Sequence, residues 1–212
     1  MRLLYLLLFL CTIGLYGDIG QNNDIQLWLP IEYQIEMKNK GQLRLSAEER
    51  LGANATFFYF LRLQGTYVYP VTDKISMGPG YRQMWSRTTG GWTPLYEPIF
   101  DTFFNWKSKD LRLQLRNRLA YRFVEGGRGF FRFRLRQRIF APFTVAGLKP
   151  FLSEEVFFDS NRGFSQNRAQ IGADYPVLEE VETQVSYMLR TRISDNSWIN
   201  EHVFGLFFKV FY

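Results

Sequence analysis

Between Leu111 and Ile139 the chain alternates arginine with apolar side chains, and guanidinium groups arrayed in this way have one evident chemistry, the binding of anions. Arg112, Arg116, Arg118 and Arg122 occupy even positions, against Leu113, Leu115, Leu119, Tyr121 and Phe123 at odd ones. After Glu125-Gly126-Gly127-Arg128-Gly129 the alternation resumes, with Arg132, Arg134, Arg136 and Arg138 set against Phe131, Phe133, Leu135 and Ile139. A period of two is that of a β-strand, whose successive side chains point to opposite faces. The two runs are therefore expected to form a hairpin that gathers its arginines on one face.

Other reactive side chains are scarce. His202 is the single histidine. By parity it falls on an apolar face, with Ser194 and Ser197 in the preceding loop and Ser186 directed the opposite way, so a lipid-hydrolysing dyad is the enzymatic alternative. Without it, His202 is an interfacial residue beside Trp198. Cys11 lies in the N-terminal leader, and no carboxylates cluster at ligand spacing, so neither a metal site nor a cofactor is expected. Aromatic rings on the face opposite the arginines could not stack bases held by them, which argues against nucleic acid.

The elements that must carry these residues are strands. The chain has 212 residues, 46% hydrophobic and 18% aromatic, with a net charge of +6. Residues 1–17 read as a cleaved signal peptide: Arg2 starts it, an apolar run follows, and Gly14 and Gly17 are the small residues near a cut expected after Gly17. Residues 18–212 then form one domain. Gly, Pro, Asn and Asp divide it into strands at 25–36, 42–51, 55–69, 74–87, 95–107, 110–124, 129–141, 148–158, 164–175, 181–193 and 201–212. Many exceed the usual ~5–6 residues of globular strands and match the ~9–11 that a tilted strand needs to cross a bilayer.

The last strand carries Phe204, Leu206, Phe208, Val210 and Tyr212 at every second position. A terminal aromatic with this spacing resembles the strand by which outer-membrane barrels are recognised for assembly. Gly78-Pro79-Gly80-Tyr81-Arg82, the run from Leu115 to Phe123, Phe133-Arg134-Leu135-Arg136 and Phe164-Ser165-Gln166-Asn167-Arg168 extend the likeness. With them the chain resembles a family of bacterial outer-membrane-type β-barrels catalogued only as a domain of unknown function. The resemblance implies a barrel and transfers no catalytic residue.

The expectation is thus an all-β, antiparallel up-and-down transmembrane β-barrel of about 10–12 strands in the cell outer membrane. Single-chain bacterial barrels have even strand counts, so a count of eleven requires a hidden strand near 142–150 or a first strand that does not cross. The longest loops are expected at 88–94 and 194–200, on the side opposite Tyr212. Inside, the eight arginines would crowd one wall, with Glu97, Asp101, Glu48, Glu182 and either Glu154 or Glu155, of which Glu155 is chosen, as acidic partners. Such a wall serves as a rigid ion-pair filling or as a narrow anion-favouring pore. Expected partners are membrane lipid, the barrel-assembly machinery and small anionic solutes, with the barrel a monomer. The remaining alternative is a secreted soluble barrel turned the other way, its apolar face lining a ligand cavity.

Overall fold

Segments with one apolar and one charged face need a partner surface for both, and here they find it by rolling into a ring. The computed structural model describes residues 21–212, apart from Asn39, Thr89, Asp110, Glu125, Asp195 and Asn196. The expected leader, 1–17 with Arg2 and Cys11, lies outside the described residues. Eleven strands follow one another: β1 (Asp24–Glu36), β2 (Gln42–Gly52), β3 (Phe57–Pro70), β4 (Ile75–Thr88), β5 (Gly91–Lys107), β6 (Arg112–Val124), β7 (Phe130–Phe140), β8 (Lys149–Asp159), β9 (Gly163–Leu178), β10 (Val181–Ser194) and β11 (Ser197–Phe211). Each pairs with its neighbour in sequence, and β1 pairs with β11 to close the barrel. The ends lie within a few residues of those read from periodicity.

The closing pair corrects a purely antiparallel barrel. β1 and β11 run parallel, with Asp24 opposite Glu201 and Gln34 opposite Phe211. An odd number of alternating strands leaves the first and last pointing the same way, so the parity problem is resolved by one parallel ladder. No hidden strand is needed: 142–150 holds only an isolated bridge between Val145 and Leu148 before β8 begins. Nor does β1 stand aside, since it pairs with β2 from Leu27 to Glu36. Asp24 and the Ser194–Ser197 pair consequently share one end of the barrel, and Tyr212 lies at the other.

The loop expectation is also corrected. Thr88 pairs directly with Gly91 and Ser194 with Ser197, so the segments expected to be the longest loops are mostly strand. Gly91 turns this corner at φ 110°, a backbone conformation that side chains disfavour. The longest connection between strands is instead 141–148, at the Tyr212 end. Pro142 lacks the N–H a ladder needs, and Ala146 and Gly147 both take positive φ there.

Burial alternates with the sequence period. Along β7, Arg134 and Phe140 are buried, while Phe131, Phe133, Leu135 and Ile139 are exposed. Arginines face the lumen and apolar side chains face out. The ladder between β3 and β4 is interrupted at Gly78-Pro79, where proline offers no donor. A Cβ at Gly78 would lie 1.8 Å from the carbonyl oxygen of Tyr67, so only glycine lets the two backbones approach. Gly78→Ala is expected to lower the unfolding free energy by ~1–3 kcal/mol. Gly65→Ala, whose new carbon would meet only Leu45 Cδ2 at 3.6 Å, should leave it nearly unchanged. Denaturant unfolding of the two variants side by side checks the difference.

Candidate functional site

The register of β6 and β7 sets Arg116 opposite Arg136 and Arg118 opposite Arg134. Like charges facing each other across a ladder repel, and more strongly where water is scarce. Carboxylates from the flanking strands answer this. Asp101 on β5 takes both Arg118, through paired contacts of 2.6 Å and 2.6 Å, and Arg116, at 2.8 Å. Glu155 on β8 takes Arg134 at 2.6 Å and Arg168 of β9 at 3.1 Å. Paired contacts fit the planar guanidinium fork, which is why Asp101 and Arg118 can both be almost wholly buried.

The motif of one carboxylate between two guanidiniums recurs around the lumen. Glu97 holds Arg82 at 2.7 Å and Arg122 at 2.9 Å. Glu48 holds Arg50 at 2.5 Å and Arg62 at 2.9 Å. Glu201 holds Arg190 and Arg192, each at 2.9 Å. Arg132 pairs with Asp159 at 2.6 Å and 2.7 Å, a carboxylate with no second arginine on it among the described residues. Each two-to-one group retains a positive charge, so the lumen stays basic after its pairs are formed. Aromatic faces share the load: Arg50 lies 3.6 Å from the ring centre of Trp28, and Arg168 lies 4.6 Å from that of Phe157.

The remaining residues of the expected wall behave differently. Among the described residues Arg112, Arg136 and Arg138 have no ion pair. Arg112 rests over Phe140 at 4.6 Å. Arg138 lies over Phe151 at 4.1 Å and donates to Gln184 Oε1 at 3.0 Å. Glu182, expected to face this wall, is taken by Lys209 instead. Of the ambiguous pair on β8, Glu155 points inward, while Glu154 lies outside and accepts from Gln137 and Asn167. Arg62, Arg82, Arg168 and Glu201 belong to the network although they stood outside the expected set. Strand parity could have found Glu201, which faces opposite to His202.

Side chains divide the lumen into two chambers. One of about 420 Å³ reaches toward the Tyr212 end. Another of about 330 Å³ lies toward the Asp24 end, with Arg50, Arg122, Arg132, Arg190 and Arg192 in its wall. Arg62, Arg82, Arg134 and Arg168 line both and form the waist between them. The charged lumen and the outward apolar side chains are the reverse of the apolar ligand cavity expected of the alternative barrel. On β11, Phe204, Leu206, Phe208 and Val210 alternate with cavity-lining Val203, Gly205, Phe207 and Phe211. Tyr212 follows, its ring stacked on Tyr33 at 6.5 Å. His202 shares the outer face and lies 2.8 Å from the Tyr187 hydroxyl through Nδ1. Ser197 is five residues away on the same strand, roughly 16 Å at strand rise, too far for a dyad.

Closed barrel and ion-paired interior define the class: an eleven-strand β-barrel with an arginine-rich lumen. Residues 25–200 match the family described as "Protein of unknown function (DUF2490)", and the chain belongs to that family. No curated protein matches the chain. Among the described residues no group of histidine, cysteine, aspartate or glutamate could hold a metal ion.

Removing the charge of Asp101 leaves buried Arg118 without its carboxylate. Asp101→Asn is expected to cost ~3–5 kcal/mol of stability. The outer Glu154→Gln should leave the denaturation midpoint near that of the parent. Equal midpoints for all three proteins would mean that the pairs do not hold the barrel together.

Proposed function

We propose that this protein is a small outer-membrane β-barrel whose arginine-lined lumen is both its rigid filling and a narrow, anion-favouring path. The observation that carries the reading is the outer surface. Every strand exposes a large hydrophobic residue, among them Leu63, Phe100, Leu119, Leu152, Ile171, Val185 and Phe204. A continuous apolar girdle of this kind far exceeds the patch a soluble monomer tolerates. Lipid is the solvent that suits it, since the closed ladder also satisfies the backbone groups that hydrocarbon cannot.

Aromatic side chains toward both ends support the same reading. Tyr69, Trp106 and Tyr175 stand toward the Tyr212 end, and Trp92, Phe131 and Trp198 toward the other. Such girdles sit where a barrel meets the membrane interfaces. The outward row from Phe204 to Tyr212 then serves the assembly machinery as its recognition strand. The basic surplus of the lumen attracts anions, and the waist of Arg62, Arg82, Arg134 and Arg168 limits passage to small ones.

Two measurements test this. Membrane-extracted protein should migrate differently on gels before and after boiling, and it should fractionate with the outer membrane. A soluble periplasmic protein without a boiling shift would remove the membrane reading. In planar bilayers, neutralising Arg116, Arg118, Arg134 and Arg136 together should lower the preference for anions. Unchanged ion selectivity would remove the anion path and leave the filling role alone.

A further inference from the structure

The arginines of the lumen are of two kinds. Toward the waist and the Asp24 end most are held by carboxylates, which is how a purely structural lumen satisfies its charges, while Arg87 rests over the ring of Phe57 at 4.8 Å. In the chamber toward the Tyr212 end, Arg44, Arg112, Arg136 and Arg138 have no ion pair among the described residues. Neutral groups position three of them, while Arg136 stands opposite Glu155 in the β7–β8 register without a direct ion pair. Arg44 lies over Phe103 at 4.9 Å and donates to Gln42 at 2.5 Å. Arg112 and Arg138 lean on the ring of Phe140, and Arg138 also uses Phe151 and the Gln184 amide. The Nε of Arg138 is buried without a partner. Rings and amides fix the direction of a guanidinium without cancelling its charge, so these N–H forks remain available.

We propose that this chamber is a binding site for a small oxyanion of at least two negative charges, borne by a soluble molecule such as a phosphorylated solute. The proposal rests on the reading of the lumen as anion-attracting and goes beyond it: a bound ligand replaces mere passage. Arg116, which already shares Asp101, and Arg136 face each other across the β6–β7 ladder at the chamber wall. Two guanidiniums brought together against their repulsion create a place where a multivalent anion lowers the energy more than a monovalent one can. About 420 Å³ is room for a solute of this size and falls among the volumes typical of ligand sites. A lipid headgroup is the other source of such chemistry, but neighbouring strands pair all around the ring and leave no lateral door.

Acidic groups also face the chamber. Glu182 is engaged by Lys209, and Glu32 accepts from the Gln34 amide. Asp174 lines it with its Oδ1 buried and unpartnered, and therefore opposes an incoming anion. This supplies a variant that acts in the direction opposite to loss of an arginine.

The test is calorimetric titration of the detergent-folded full protein with inorganic pyrophosphate, after a boiling shift has shown the barrel to be intact. Saturable one-site binding is expected. Arg136→Gln and Arg138→Gln should each weaken it by about tenfold, and Asp174→Asn should tighten it. Arg192→Gln, at the other end of the lumen, should leave it unchanged. Chloride should not compete at equal concentration, and a soluble short-chain phosphatidic acid should bind more weakly than pyrophosphate. An intact barrel that binds no pyrophosphate overturns the site while the barrel reading stands. Absence of the boiling shift is failure of that earlier reading instead. Binding indifferent to Arg136 and Arg138, or preference for the lipid probe, also overturns the proposal.

Discussion

Everything inside this barrel depends on carboxylates shared between guanidiniums. Asp101, Glu155, Glu97, Glu48 and Glu201 each stand between two arginines, and most of these triplets join different strands. A one-to-one pairing would neutralise the lumen. A lumen of arginines alone would burst the β6–β7 ladder. The two-to-one arrangement lets side chains pack at high density and leaves a positive surplus. Breaking one such group is costly, because the carboxylate and both partners have already been taken out of bulk water.

The same arrangement explains the division of labour along the axis. At the waist, Arg62, Arg82, Arg134 and Arg168 are drawn inward by Glu48, Glu97 and Glu155 and narrow the lumen. Toward the Tyr212 end the props become Phe103, Phe140, Phe151 and amides, and the arginines hold their positions with their charge intact. Rigidity and reactivity are thus assigned to different levels of one wall by the choice of neighbour, although the residue type is the same.

Much of this was legible in the alternation. A period of two is local, so the strand limits, the facing of the eight arginines and the inward aim of Glu97 and Asp101 could be read residue by residue. β8 resisted because Glu154 and Glu155 are consecutive and flanked by apolar residues on both faces, with a register shift between Phe157 and Phe158. The parallel seam was invisible because closure is a property of the whole ring and no segment encodes it alone. Ion-pair partners were hidden for another reason. Glu182 lies opposite Lys209 and Glu155 opposite Arg168 on consecutive strands, so these pairs depend on the register of each hairpin, and a side chain of lysine or arginine length can choose among several neighbours. Loop lengths misled where Gly91 and the Ser194–Ser197 pair let strands run farther than polar residues suggested.

The parallel ladder between β1 and β11 bears on ancestry. Duplication of hairpins enlarges a meander by even steps and preserves its parity, so a ring of eleven cannot descend from an even one by hairpin duplication alone. An even ring reaches eleven only by gaining or losing an odd number of strands. Removing either β1 or β11 would leave a ring of ten with no parallel pair, so the seam is carried by the two terminal strands alone.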